Sequence, residues 1–167
     1  AVFEGLVKGG VAMAYAGVSR PASGVEHYLS HIWDMRGLEF GTPVDLHGIQ
    51  CAIGTYIAAQ IYEKIKKISP DKDKAIKNAE NFDFGKWSDE LRNFIGQGAE
   101  AMIELEAKEK KYDREKHRER IDVIIANWEK ILEIIEEEIP AISEIEKIFS
   151  TIQLPEEPKK IGISNEL

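Results

Sequence analysis

The chain has 167 residues, 43% of them hydrophobic and 31% charged, with a formal net charge of −8. That is enough apolar content for a core, while the acidic balance excludes nucleic acid as the main partner, because phosphate backbones require clustered Lys and Arg, and disfavours anionic membrane surfaces. The single cysteine, Cys51, leaves no internal disulfide, and no apolar run is long enough to insert in a membrane, so a cytoplasmic protein is expected.

Apolar residues recur at three- and four-residue steps almost throughout, and no stretch alternates as a strand would. The expected fold is therefore an all-α, multi-helix bundle. The first helix is predicted from Val2 to Tyr15, with Phe3, Leu6 and Val7 on one face, and is read as a core helix. Its Gly5, Gly9 and Gly10 weaken a helix interior unless another element approaches closely. After a loop of small residues, Ser23 and Glu26 match a capping box, so a second helix should run from there to about Arg36 and stop near Gly37. Thr42-Pro43 or Asp45 starts a third helix, reaching about Ile68. From Cys51 to Tyr62 that helix is apolar nearly all round, which predicts a buried position.

Beyond Asp71 the character changes. Lys72 to Asn81 reads as a polar surface helix, Phe82, Phe84 and Trp87 as a packed turn, and two helical stretches follow around Leu91–Ile95 and Met102–Leu105. The doubly charged segment from Glu104 to Arg120 reads as a solvated helix face. A stripe through Ile121, Ile125, Trp128, Leu132, Ile135 and Ile139 should break at Pro140 and resume at Ile142, Ile145, Ile148, Phe149 and Ile152. Pro155 and Pro158 bracket a short linker. The chain opens at Ala1 already in a helical pattern, and Ser164-Asn165-Glu166-Leu167 reads as the cap and first turn of a further helix. Both ends are expected to be cut from a longer polypeptide. One helical domain is expected over 1–167: metal-site helices in 1–68, additional helices in 69–154, and a linker with a truncated helix start in 155–167.

Three of the four histidines, His27, His31 and His47, fall between Ser23 and Gly48. His27 and His31 are four apart, on one face of one helix, with Cβ atoms about 5–6 Å apart. His47 begins the next helix, which can pack antiparallel to it. Neutral imidazoles ligate zinc, nickel and iron. Spacing alone nominates His27 and His31 as the chelating pair, against a structural reading in which such a pair arises by chance. His117 sits in the charged stretch and reads as exposed. Cys51 reads as a buried small hydrophobe, Asp34 as a surface charge and Asp45 as an N-cap.

The run Ser19-Arg20-Pro21-Ala22-Ser23-Gly24-Val25-Glu26-His27-Tyr28-Leu29-Ser30-His31 resembles the S-R-P-A-S-G-x-E-H-x-x-S-H signature of glycerol-1-phosphate dehydrogenases. Ile32-Trp33-Asp34-Met35 looks like the bacterial branch of that family, and Leu46-His47-Gly48 with Ile53-Gly54-Thr55 resembles the L-H-G block that follows. The resemblance covers residues 1 to 65 well and the remainder by general helical character. It implies the C-terminal helical domain of a superfamily that includes iron-containing alcohol dehydrogenases and dehydroquinate synthases. Members join an N-terminal NAD(P)-binding domain to a helical domain, with a divalent metal in the cleft held by one Asp and two His.

By position in the motif the two metal-ligating histidines correspond to His27 and His47, and His31 resembles a substrate-facing catalytic histidine. Arg20, seven residues before the first ligand, matches a substrate-anion-binding Arg in the dehydroquinate synthase relatives. Arg20 and the Ser23-Gly24 helix start would hold the anionic group of a small phosphorylated substrate, although for Ser23 and Glu26 plain helix capping competes with that role. The implied reaction is reversible reduction of dihydroxyacetone phosphate to sn-glycerol-1-phosphate. The metal, with zinc first and nickel or iron as alternatives, acts as Lewis acid, and NAD(P)H delivers the hydride. No Gly-rich loop follows a strand, so the nucleotide-binding half and the family's Asp are expected outside this chain, which should be inactive alone. A homo-oligomer of the full-length enzyme is possible. Two other readings compete: a dehydroquinate-synthase-like lyase, whose G-H-x-x-G-H block differs from Glu26-His27-Tyr28-Leu29-Ser30-His31, and a non-catalytic helical metal-binding module.

Overall fold

In the computed structural model, which describes residues 2–164, every regular element is helical, as the periodicity predicts. The α-helices are α1 (Val2–Ala16), α2 (Val25–Phe40), α3 (His47–Ile65), α4 (Lys72–Glu80), α5 (Phe84–Ile95), α6 (Ala99–Lys108), α7 (Arg114–Ala126), α8 (Trp128–Glu138) and α9 (Ile142–Ile152). Short 3-10 turns lie at Arg20–Ala22, Gly96–Gly98 and Pro158–Ile161. The helix start expected at 165–167 lies outside the described residues. No described helix is long and apolar enough to cross a membrane. Three helices begin on an aspartate whose carboxylate accepts an otherwise orphaned backbone N–H: Asp71 from Lys74 at 2.9 Å, Asp83 from Lys86 at 3.0 Å and Asp113 from Lys116 at 3.0 Å.

Several boundaries differ from the sequence expectation, each for a local reason. Gly37 does not end α2, which continues to Phe40. The stop is Gly41, whose φ of +66° suits a residue without a Cβ. α2 starts at Val25, not on Ser23, and the Glu26 carboxylate reaches back to the Gly24 N–H at 2.9 Å. Half of the expected capping box thus forms, displaced by one residue. Asp45 is not the N-cap of α3, which begins at His47: its carboxylate accepts the N–H of the adjacent Leu46 at 2.7 Å, ahead of the helix. The charged stretch is not one helix face. It breaks between Lys108 and Arg114, with Lys110 at a φ of 53° and Asp113 capping α7. The long isoleucine stripe also breaks at Asn127, whose side-chain amide donates to the Val123 carbonyl at 2.8 Å, a competition with the helix ladder that Asn is suited to.

The chain forms two compact units whose boundary falls within α2 and α3. The first comprises residues 1–34, 43–58 and 142–167. Its core joins Trp33, Ile53 and Ile163, flanked by Leu29, Ile49, Ile57 and Ile161. Segment 155–163 is therefore more than a linker, since Ile163 is fully buried against the two site helices. α9 contributes buried Ile145 and Phe149, and Tyr56 donates its hydroxyl to Glu146 at 2.8 Å. α1 departs from its expected place in a core: none of its residues is buried, with Phe3 80% and Leu6 71% exposed. Of its glycines, Gly9 faces the Ala22 side chain, whereas Gly5 and Gly10 face open space. α3 is also less enclosed than its composition predicts. It buries Ile53, Ala58 and Ala59 and exposes Thr55, Gln60 and Ile61.

The second unit comprises residues 35–42 and 59–141. Ile95, Ala99, Ile103, Ile121 and Ile135 are buried in it. Phe82 stacks on Tyr112 with centroids 4.3 Å apart, and Phe84 and Trp87 complete the aromatic cluster. Burial raises the Tyr112 phenol above its ordinary pKa, with Glu106 adding to the rise. His117 is half-buried rather than exposed, lining a cavity of about 320 Å³ with Ala75, Asn78, Ala79, Phe82 and Tyr112. The Arg36 guanidinium lies over the Phe94 ring, 4.6 Å from its centroid, and donates to the Phe94 carbonyl.

α2 and α3 run antiparallel in the first unit, because Glu26 lies against Gly54 while Asp34 and Ser30 both bond to Gln50. A Cβ at Gly54 would stand 2.8 Å from both the Cα and the carbonyl oxygen of Glu26. Backbone cannot rotate away as a side chain can, so Gly54→Ala should force the helices apart and cost about 1–3 kcal/mol. Gly10→Ala, in open space on α1, should leave stability unchanged or raise it by up to about 1 kcal/mol. Denaturant unfolding of the two variants beside the parent checks both expectations.

Candidate metal centre

The site lies between the first half of α2 and the first two turns of α3. His27 and His31 project from successive turns of α2, and His47 is the first residue of α3. Their rings converge: centroids are 4.4 Å apart for His27–His31, 4.9 Å for His27–His47 and 5.5 Å for His31–His47. One ligand atom each of His27, His47 and Cys51 lies within 4.8 Å of the other two. By ring centroids the α2 pair nominated by spacing is the closer of the histidine pairs, while the three-residue set joins His27 to His47 and Cys51 on α3. Cys51 is half-buried and faces His47 Nε2 at 3.5 Å, and so differs from the inert apolar filler expected of it.

A polar chain behind His47 orients the ring. Its Nδ1 lies 2.8 Å from Ser30 Oγ and 3.8 Å from Asp34 Oδ2. Gln50 donates one amide hydrogen to Ser30 Oγ at 3.0 Å and the other to Asp34 Oδ1 at 2.7 Å. Ser30 Oγ accepts from Gln50 and shares a second hydrogen bond with Nδ1 of His47, in which either group can donate. Asp34 is consequently part of the site and not an isolated surface charge. Ser30 and Gln50 are fully buried, so their side chains belong to a satisfied internal network.

Imidazole nitrogens and a thiol sulfur are donors for a first-row divalent cation. The Nδ1 partners of His47 match the supporting shell such ligands use, so this donor set fits the metal that the sequence implies. Arg20, in the 3-10 turn before α2, is exposed, and Ser23 is half-buried just ahead of the helix start. His31 is exposed beside the cluster. Burial pushes the Cys51 thiol above its ordinary pKa, the Ser30 hydrogen bond pulls it down, and the Glu26 and Asp34 carboxylates push it up further.

Comparison with known proteins finds several similar ones of the same name. A glycerol-1-phosphate dehydrogenase, NAD(P)+, from Methanococcus maripaludis strain C7 is 42% identical over 77 residues, 46% of this chain and 23% of that protein. The protein of the same name from Archaeoglobus fulgidus is 48% identical over 63 residues, 38% of this chain and 17% of that protein. The one from Halalkalibacterium halodurans is 28% identical over 149 residues, 89% of this chain and 27% of that protein. The chain resembles glycerol-1-phosphate dehydrogenases. It spans about a quarter or less of the length of these relatives. No protein-family model matches the chain, and no solved structure does.

Within this glycerol-1-phosphate-dehydrogenase-like chain, the sequence motif marks His27, His31 and His47 as site residues, includes Asp34 without assigning it a role, and does not include Gln50 or Cys51. The signal that could have found them is spacing: Gln50 and Cys51 lie three and four residues after His47, and Asp34 four after Ser30, each on its neighbour's face. The thiol gives a direct check. In the presence of chelator, the pH midpoint for alkylation of Cys51 should lie above the ordinary thiol range of about 8.5. Ser30→Ala removes the interaction that favours the thiolate, so it should move the midpoint higher still. Rates of iodoacetamide labelling across pH measure both.

Proposed function

We propose that this chain carries the metal-binding helical part of a metal- and NAD(P)-dependent sn-glycerol-1-phosphate dehydrogenase, an oxidoreductase acting on dihydroxyacetone phosphate. The observation that carries the reading is the convergence of His27 and His47 from two helices, with Nδ1 of His47 engaged by Ser30 and Asp34. Similarity to proteins bearing that name supplies the reaction class.

A divalent cation held by His27 and His47, zinc in the first instance, supplies Lewis acidity toward a carbonyl or alkoxide oxygen. NAD(P)H, bound by a part of the enzyme that these helices do not form, supplies the hydride. The chain's own residues do the rest. His27 and His47 present imidazole nitrogens to the cation, and Ser30, Asp34 and Gln50 hold the His47 ring in its orientation. Arg20 and the backbone N–H groups at the start of α2, behind Ser23, offer positive charge to the substrate's phosphate. His31, exposed beside the two ligands, is placed to exchange a proton with the substrate oxygen.

Calorimetric titration of the purified chain with zinc should show one site per chain, lost in His27→Ala and His47→Ala and kept in His31→Ala. Asp34→Asn should bind about 10–100-fold more weakly, the usual loss when a ligand's supporting partner is removed. Absence of zinc binding in the parent chain, or its persistence in both His27→Ala and His47→Ala, would sink the reading. Among the described residues no strand exists to build a nucleotide-binding sheet, so the isolated chain should not oxidise NAD(P)H when dihydroxyacetone phosphate is added. An absorbance assay at saturating substrate tests this, and steady turnover refutes it.

A further inference from the structure

We propose that the cavity between α4 and α7 is a binding site for an uncharged, planar heteroaromatic molecule of one or two rings, the size of a purine. The proposal concerns residues of the second unit alone and holds whether or not the histidine cluster takes a metal. The cavity, of about 320 Å³, is lined by Ala75, Asn78, Ala79, Phe82, Tyr112 and His117. Ala75, Asn78 and Ala79 share one face of α4. Two alanines there leave a hollow that larger apolar side chains would fill. The two helices are bridged at both ends of α4: Lys72 at its start pairs with Asp122 late in α7, and Glu80 at its end pairs with Arg118. Phe82 and Tyr112 stack with centroids 4.3 Å apart and planes 11° from parallel.

Ligand cavities are typically about 300–1,000 Å³, mostly apolar, with a few convergent polar groups. This one stands at the small end of that range and has that composition. Asn78 comes from α4, His117 from α7 and Tyr112 from the turn ahead of α7. None of their side chains hydrogen-bonds to protein among the described residues, so their bonding capacity is open to whatever enters the cavity. An amide offers a donor and an acceptor, a neutral imidazole one of each, and a phenol a donor hydrogen. Burial and the neighbouring Glu106 keep the Tyr112 phenol protonated, so it remains a donor. Such a set matches a ring edge that carries both N–H and lone-pair nitrogens. The Phe82–Tyr112 pair supplies an aromatic wall against which a flat ring gains contact. An ionised ligand meets no carboxylate, lysine or arginine in the lining. A plainer account makes the hollow a packing gap between two short helices, open to solvent and selective for nothing.

The two accounts part in a titration of the isotope-labelled 167-residue chain with purine, followed by two-dimensional NMR, with benzoate as a planar anion of similar size. The variants are Asn78→Ala, His117→Ala and Ala75→Leu, the last of which fills the hollow, and circular dichroism confirms the helical content of each. The expected result is a saturable one-to-one set of shifts centred on α4, Phe82 and residues 112–117, with a Kd of about 1 mM or below, and no saturable shift with benzoate. Asn78→Ala and His117→Ala should each weaken purine binding about 3–10-fold, the range expected for loss of one hydrogen bond, and Ala75→Leu should abolish it. No saturable shift with purine at about 10 mM, or the same affinity in the parent and all three variants, would overturn the proposal. Binding of benzoate as tight as that of purine would overturn the assignment of an uncharged ligand. Asn78 is exposed, so Asn78→Ala keeps the fold and decides the matter where another variant fails to fold.

Discussion

The contact between the Gly54 position of α3 and the backbone of Glu26 on α2 is the constraint on which the site depends. Any side chain at residue 54 would meet backbone atoms at 2.8 Å, so the two helices can approach this closely only because a hydrogen stands there. Helix axes held that near bring His27 and His47, from opposite sides of a loop, to a ring separation of 4.9 Å. They also let Ser30 and Asp34 on α2 reach Gln50 on α3. A separation larger by one methyl group would break those bonds and leave Gln50 and Ser30 buried without partners, a cost of about 1–3 kcal/mol for each group left unsatisfied.

That close approach has support from the apolar side. Trp33 and Ile53 meet next to the polar chain, and Ile163 closes over them from the far end of the sequence. The polar face and the apolar face of the α2–α3 pair are therefore parts of one assembly. The apolar contacts supply most of the stability, because burial of large side chains outweighs the modest net gain of each hydrogen bond. The polar chain supplies direction: it holds the His47 ring in one orientation. Such a division suits a metal site, where donor positions must be held to fractions of an ångström while the protein around them remains only marginally stable.

The second unit serves different ends. Its cohesion comes from isoleucines at helical spacing and from the aromatic group around Tyr112. Its exposed ion pairs, such as Arg92 with Glu100 at 2.7 Å, are of a kind that contributes little to stability in water. None of the motif residues that resemble the dehydrogenases lies in it, apart from Met35 at its edge. The similarity to named relatives is higher over short stretches than over most of the chain. Residues that must place donor atoms tolerate few substitutes, whereas a helical surface tolerates many.

How much of this was legible in the sequence depends on the range of the interaction involved. Helix type and the histidine-bearing motif were readable because each is decided within one or two turns of chain by periodicity and spacing, whereas the aspartate caps at Asp71, Asp83 and Asp113 emerged only in the structure. The persistence of α2 past Gly37 and the break at Asn127 were not readable either, since packing and local side-chain bonds outvote weak propensities. α1 looked like a core helix because its pattern is amphipathic, but periodicity reports only that a face is apolar, and nothing about what covers it. Cys51 and Asp34 looked ordinary for a similar reason. Their significance lies in distances to His47 and Ser30 that depend on which faces of two helices meet. The sequence by itself determined the helices and the residue types able to bind a metal. Only the tertiary structure decided which of those residues share a site, because that choice is made by the depth of one glycine contact between two helices.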